Sequence, residues 1–273
     1  MIRRLILMAC VACCAGVTGR VAARPVACPS SDDMAGVVTQ LPHLASALKP
    51  GSKLDVLAIG SASLFGPEAS LAPGSLTDQA MRGATTTTVP STQIMTQVSP
   101  TAFPERMAKA LEAAVPGAKV SVTVRGGRGL SAADQLILLH DGLQSGHYAL
   151  VIWQTGTVEA VRNLPPSEFA QTLADGAEQV ADAGADLVLI DPQFSRFLQT
   201  NSNIEPYQQA FQQLGSLPGV LLFHRFDLMR SWANDGQIDL ERTPKADRVR
   251  AVEQLHACLG EHLARILVSG TKS

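Results

Sequence analysis

Five short apolar runs rich in Val, Ile and Leu recur along this chain, at residues 54–60, 119–125, 148–154, 185–191 and 219–226, with helix-forming stretches between them. Near-continuous apolar character over so few residues is how strands buried on both faces read, because neither face meets water. Such strands need helices on both sides of the sheet and crossover connections between them. The alternation therefore predicts an α/β chain: a doubly wound, five-stranded parallel sheet in a three-layer α/β/α sandwich.

The helical stretches carry their own punctuation. Residues 103–115 have Pro104 near the start and Pro116-Gly117 after the end, where proline opens and glycine closes a helix. Ser131 stands before Ala132-Ala133-Asp134, an N-cap followed by negative charge in the first turn. Pro165-Pro166-Ser167 opens a helix running to about Ala183, which Gly184 stops, and residues 205–217 and 245–267 complete the set. Residues 67–102 break the rhythm with Pro, Gly and Ser and a Thr85-Thr86-Thr87-Thr88 run. An excursion of that length beside the first strand is either a functional lid or a surface insertion.

Arg3 and Arg4, the apolar stretch 5–17 and the small residues Val21-Ala22-Ala23 have the three parts of an export signal. Residues 1–23 are expected to be removed, leaving 24–273 as one domain in a secreted or periplasmic protein. The apolar stretch is too short to anchor in a bilayer, so no transmembrane segment is expected after removal. Cys10, Cys13 and Cys14 leave with the signal, and Cys28 and Cys258 remain. In an oxidising compartment these two are either a disulfide tying the N-terminal arm to the last helix or a pair of buried thiols. Three of the 22 basic side chains also leave, so 19 face 24 acidic ones. A net charge near −5 without a Lys/Arg run argues against nucleic acid and against an anionic membrane surface. A small-molecule or carbohydrate ligand is the expected partner. No Cys or His pair has ligand spacing, and no metal or cofactor is expected.

Candidate chemistry follows the runs. The first ends in Gly60-Ser61-Ala62-Ser63-Leu64-Phe65-Gly66, and the second in Val124-Arg125-Gly126-Gly127-Arg128-Gly129-Leu130-Ser131. The third ends in Trp153-Gln154-Thr155-Gly156-Thr157-Val158-Glu159, and Asp247-Arg248-Val249-Arg250 lies ahead of Cys258-Leu259. In order and spacing these blocks resemble those of the SGNH or GDSL hydrolases, esterases with a flavodoxin-like fold, and especially their exported bacterial members. The resemblance implies that the third residue of the first block is the nucleophile, a position held here by Ala62, with Ser61 and Ser63 on either side. It implies an oxyanion-hole glycine at Gly127 or Gly129, where a backbone N–H could approach a developing oxyanion. The same resemblance places Val158 where the family has its oxyanion Asn, and Arg250 where it has the general-base His that Asp247 would orient. A methyl group cannot attack, valine donates nothing, and a guanidinium stays protonated at neutral pH.

Among the histidines, His224, at the end of the fifth run, is the best placed to serve Ser61 or Ser63 as a base. His256 and His262, inside the last helix, read as surface or packing residues. Arg225-Phe226 and Met229-Arg230-Ser231-Trp232 have relatives in the family that line or buttress the pocket, while the spacing of Phe226, Met229 and Trp232 reads as one buried helix face. The expected function is that of an exported SGNH-hydrolase-like protein. Its ester chemistry is impaired, and a pocket for a small acylated or carbohydrate ligand survives around Gln154, Gly156, Thr157 and Arg250. The alternative is an active esterase on envelope carbohydrate or lipid esters working through Ser61 or Ser63.

Overall fold

The computed structural model of the 273-residue protein describes residues 28–29, 39–88 and 91–272. The expected export signal lies outside those residues. The sheet has six strands, not the five expected: β1 (Lys53–Ser61), β2 (Gln93–Ile94), β3 (Lys119–Arg128), β4 (Leu150–Gln154), β5 (Asp186–Ile190) and β6 (Val220–Phe223). Their order is β2-β3-β1-β4-β5-β6, and all neighbours are parallel except the β2–β3 pair. The additional strand is two exposed residues from within the 67–102 excursion, too short and polar to give a hydrophobic period. The last strand is shorter than the 219–226 run, because His224 caps a new helix and its backbone turns there.

Helices occupy the stretches their punctuation marks. They are α1 (Pro42–Ala47), α2 (Pro67–Leu71), α3 (Leu76–Met81), α4 (Phe103–Ala114), α5 (Ala132–Ser145), α6 (Thr157–Arg162), α7 (Pro166–Asp182), α8 (Arg196–Asn201), α9 (Glu205–Leu214), α10 (Arg225–Asn234) and α11 (Arg248–Gly270). At the start of α5, the Ser131 hydroxyl accepts the Asp134 N–H while the Asp134 carboxylate accepts the Ser131 N–H at 2.9 Å, so two otherwise orphaned donors are satisfied reciprocally. The excursion contributes α2 and α3, and the Gln79 side chain pins its threonine run: Nε2 donates to the Thr88 carbonyl at 2.7 Å and Oε1 accepts the Thr88 N–H at 2.9 Å.

The chain leaves β1 for β3 on one side, then returns past β1 to β4, β5 and β6 on the other. Right-handed crossovers in opposite directions put their helices on opposite faces. Accordingly α4 packs on α11, while α5, α7 and α9 pack in a row. β4 and β5 are buried along their whole length, and Trp153 is fully buried, its indole N–H donating to Gln135 Oε1 at 2.8 Å. Gly176 of α7 sits against that indole; a Cβ there would lie 2.2 Å from the ring. Cys28 and Cys258 form a disulfide that joins the N-terminal arm to α11 across 230 residues.

Candidate active site

The direction of winding reverses between β1 and β4, and the carboxyl ends of those two strands form the crevice where open α/β sheets bind ligands. Gly60 pairs with Gln154 across that crevice. Gly60 has φ 157°, and a Cβ there would stand 2.5 Å from the Gln154 carbonyl; only glycine lets β1 come this close to β4. The backbone then tightens into a 3₁₀ turn over Ala62–Phe65.

That turn brings Ser61 and Ser63 together. Their hydroxyl oxygens are 3.3 Å apart. The buried Gln154 amide closes the group: Nε2 donates to Ser61 and, at 2.7 Å, to Ser63, whose hydroxyl donates to Oε1 at 3.0 Å. Ala62 lies between them, partly buried. The other residues singled out in the sequence lie elsewhere. The register Gly60–Gln154–Ile190–Phe223 puts His224 three strands from β1, about 14 Å away at a strand spacing of ~4.8 Å. Asp247 and Arg250 pair with each other at 2.8 Å at the start of α11, with 76% of the Arg250 side chain in solvent. Neither bonds to the serine group.

The glycines of the second block answer to backbone crowding. A Cβ on Gly126 would lie 1.9 Å from the Gly60 carbonyl oxygen, and one on Gly127 would lie 1.8 Å from that of Gln93. Gly129 adopts φ 62° and its carbonyl accepts from Arg162 at 3.0 Å. In the third block Gly156 (φ 90°) starts α6 with Thr157, and Val158 is buried. Glu159 is buried as well, accepting the Ala132 N–H at 2.5 Å and the Gly156 N–H at 3.0 Å. It thereby ties the entrance of α5 to that of α6. Burial raises its pKa above the usual carboxylate range even though both backbone donors and Arg162 oppose the shift.

A second Ser–His contact is legible only in three dimensions. His256, expected at the surface or in packing, is 2% exposed on α11, and His262 is buried too. His256 Nε2 lies 3.2 Å from the Ser70 hydroxyl of α2, and Nδ1 accepts the Phe103 N–H at 3.2 Å. A neutral imidazole has one N–H. With Nδ1 accepting, that proton is on Nε2 and points at Ser70, whose hydroxyl donates to the Gly66 carbonyl at 3.1 Å. The ring therefore donates to the serine, opposite to the polarity a general base requires. Burial, with the nearby Arg225 and Arg106 charges, lowers the His256 pKa to about 3. The contact is a latch between α2, α4 and α11. Neither the excursion nor the last helix carries a sequence signal that would have joined these residues.

The sheet reverses its winding beside a serine-bearing turn, the arrangement in which doubly wound α/β folds place their sites. Residues 27–273 match the model of the Non-GDSL lipase-like family, and the chain belongs to that family. Its fold is similar to that of a lipolytic protein of the G-D-S-L family from Desulfitobacterium hafniense DCB-2, at TM-score 0.51 and 14% identity over 78% of this chain and 98% of that one. It is likewise similar to the lipase/acylhydrolase from Enterococcus faecalis, at TM-score 0.51 and 15% identity over 78% of this chain and 96% of that one. No curated protein matches the sequence. The family is thus a lipase-like one, and the fold is shared with proteins described as lipolytic members of the G-D-S-L family.

Proposed function

We propose that this protein is an exported member of the family that has lost ordinary ester hydrolysis and keeps the crevice as a binding site for a small acylated or carbohydrate ligand. The observation that carries the reading is the bonding of the two candidate nucleophiles. Ser61 and Ser63 are bonded to each other and to Gln154, and among the described residues no imidazole joins them. A serine hydroxyl without a base within hydrogen-bond reach is a weak nucleophile. Gln154 offers no substitute, because a carboxamide does not take up a proton at neutral pH. The loss of an oxyanion donor at Val158 would cost a further 100-fold to 1000-fold, roughly, in rate.

The test is turnover of short-chain nitrophenyl esters by the purified protein. The wild type is expected to match a Ser61→Ala/Ser63→Ala double variant. Turnover that a serine-directed phosphonate abolishes, and that the double variant lacks, would overturn the reading and favour the esterase. Export is checked separately by cell fractionation, with recovery from the periplasm or medium of a chain starting near residue 24 as the expected result.

A further inference from the structure

A cavity of about 20 Å³ lies beside Ser63, where α2, α3, α10 and α11 meet. One water requires roughly 10–15 Å³, so the space suits a single particle of about that size and excludes any ligand of several heavy atoms. Arg225, the first residue of α10, lines it and is 3% exposed. Its Nε donates to the Asp191 carbonyl oxygen at 3.0 Å. Among the described residues its two Nη groups have no hydrogen-bond partner, and neither do the Thr77 hydroxyl and the Gln193 amide, which line the same cavity. A buried guanidinium with four unused N–H groups is costly unless something accepts them.

The rest of the polar wall is already committed. The His256 ring is part of it, but its Nε2 proton points at the Ser70 hydroxyl and its Nδ1 accepts the Phe103 N–H. Burial, followed by the Arg225 and Arg106 charges, lowers its pKa to about 3, so the ring is neutral and Arg225 is the one charged group in the wall. Ser63 donates to Gln154 and Ser70 to the Gly66 carbonyl. No Asp or Glu lines the cavity. The Asp191 carboxyl takes the Phe226 N–H at 2.9 Å and forms no ion pair with Arg225, and burial raises its pKa to about 7, so near neutral pH it is only partly ionised.

We propose that this cavity binds one halide ion, with chloride as the ordinary occupant, held by the Arg225 Nη groups and by the Thr77 and Gln193 donors. A halide is a single atom that only accepts hydrogen bonds, and its charge answers the guanidinium. Chloride, slightly larger than a water, matches a volume slightly above the minimum for one. A water would leave the buried charge uncompensated. It would also bring two hydrogens of its own, for which the open side-chain acceptors are only the Gln193 carbonyl and the Thr77 oxygen. The site depends neither on the loss of hydrolysis nor on what the crevice binds.

Crystals grown without halide and soaked in sodium bromide are expected to show an anomalous scattering peak inside the cavity, against Arg225. In solution, thermal unfolding is followed with sodium chloride and sodium bromide at an ionic strength held constant with sodium gluconate, whose anion is too large to enter. A saturable rise in Tm is expected with both halides, as for any ligand bound by the folded state alone. Thr77→Val and Gln193→Leu, which leave Arg225 in place, are each expected to weaken halide binding about tenfold, the equivalent of one charge-assisted hydrogen bond. Arg225→Met, checked for folding by circular dichroism, is expected to abolish the halide response; the two neutral variants carry the test if it does not fold. An adventitious ion only, with bromide on the surface and none in the cavity, would overturn the proposal. So would equal Tm in halide and gluconate, or an undiminished halide response in both neutral variants. Ester turnover bears only on the loss of hydrolysis, so the two readings fail separately.

Discussion

The buried His256 makes a prediction that can be worked through in numbers. Its ring is held neutral by burial and by Arg225 and Arg106, with a pKa of about 3 against an unfolded value near 6.5. Below pH 6.5 the unfolded chain takes up a proton that the folded chain does not, and stability falls wherever the unfolded state binds more protons as pH drops. The contribution is therefore complete above pH 6.5 and is lost progressively down to about pH 3. Between pH 6.5 and 4.5 the proton activity rises a hundredfold, which corresponds to about 2.7 kcal/mol. Geometry gives the same sign, since protonating Nδ1 would turn the acceptor of the Phe103 N–H into a donor facing a donor. His262, with a pKa lowered to about 4 by burial and by Arg265, adds in the same direction. Asp191, with a pKa raised to about 7 by burial, acts in the opposite one, losing stability as pH rises from about 4 to 7. Those two terms are common to the wild type and a His256→Asn variant, so they cancel in the difference. The asparagine can still accept from Phe103 and does not titrate. Urea unfolding from pH 7.5 to 4.5, with the disulfide intact, is expected to show the wild type losing about 2–3 kcal/mol more than the variant. Parallel curves would refute the neutral, proton-donating latch.

The other predictions concern the substituted family blocks. Glu159→Ala removes the acceptor of two buried N–H groups, at Ala132 and Gly156. It is expected to lower stability by about 2–6 kcal/mol, since each of the two stranded donors costs about 1–3 kcal/mol; the urea midpoint reads it. Arg250→Ala breaks only a solvent-exposed pair with Asp247 and is expected to change stability by less than about 0.5 kcal/mol. A larger loss in the same assay would show that Arg250 has a partner in addition to Asp247.

Much of the framework was readable in the residues. Continuous Val/Ile/Leu runs mark β4 and β5, which are buried along their whole length, whereas β3, expected to be buried on both faces, is exposed or partly buried over most of its residues; the Ser131–Asp134 cap and the Pro and Gly boundaries are local signals answered by local hydrogen bonds. β2 escaped because two exposed residues have no period. The excursion escaped because α2 and α3 are held by contacts such as Gln79 on Thr88, and composition does not encode these. Glu159 carries no mark of its role in the sequence. In the fold it is the tie between two helix starts, because the acceptor's role depends on donors 27 residues away at Ala132.

The sequence by itself determined the class of sheet and the position of the serine turn at the end of β1, because each is a property of neighbouring residues. Only the tertiary structure decided which side chains meet. Strand order carries His224 three strands from the serines, and helix packing brings His256 to Ser70, 186 residues away. The same packing buries Arg225 of α10, which is 3% exposed. Strand order and helix packing are set by burial of the whole core, so no local stretch records them.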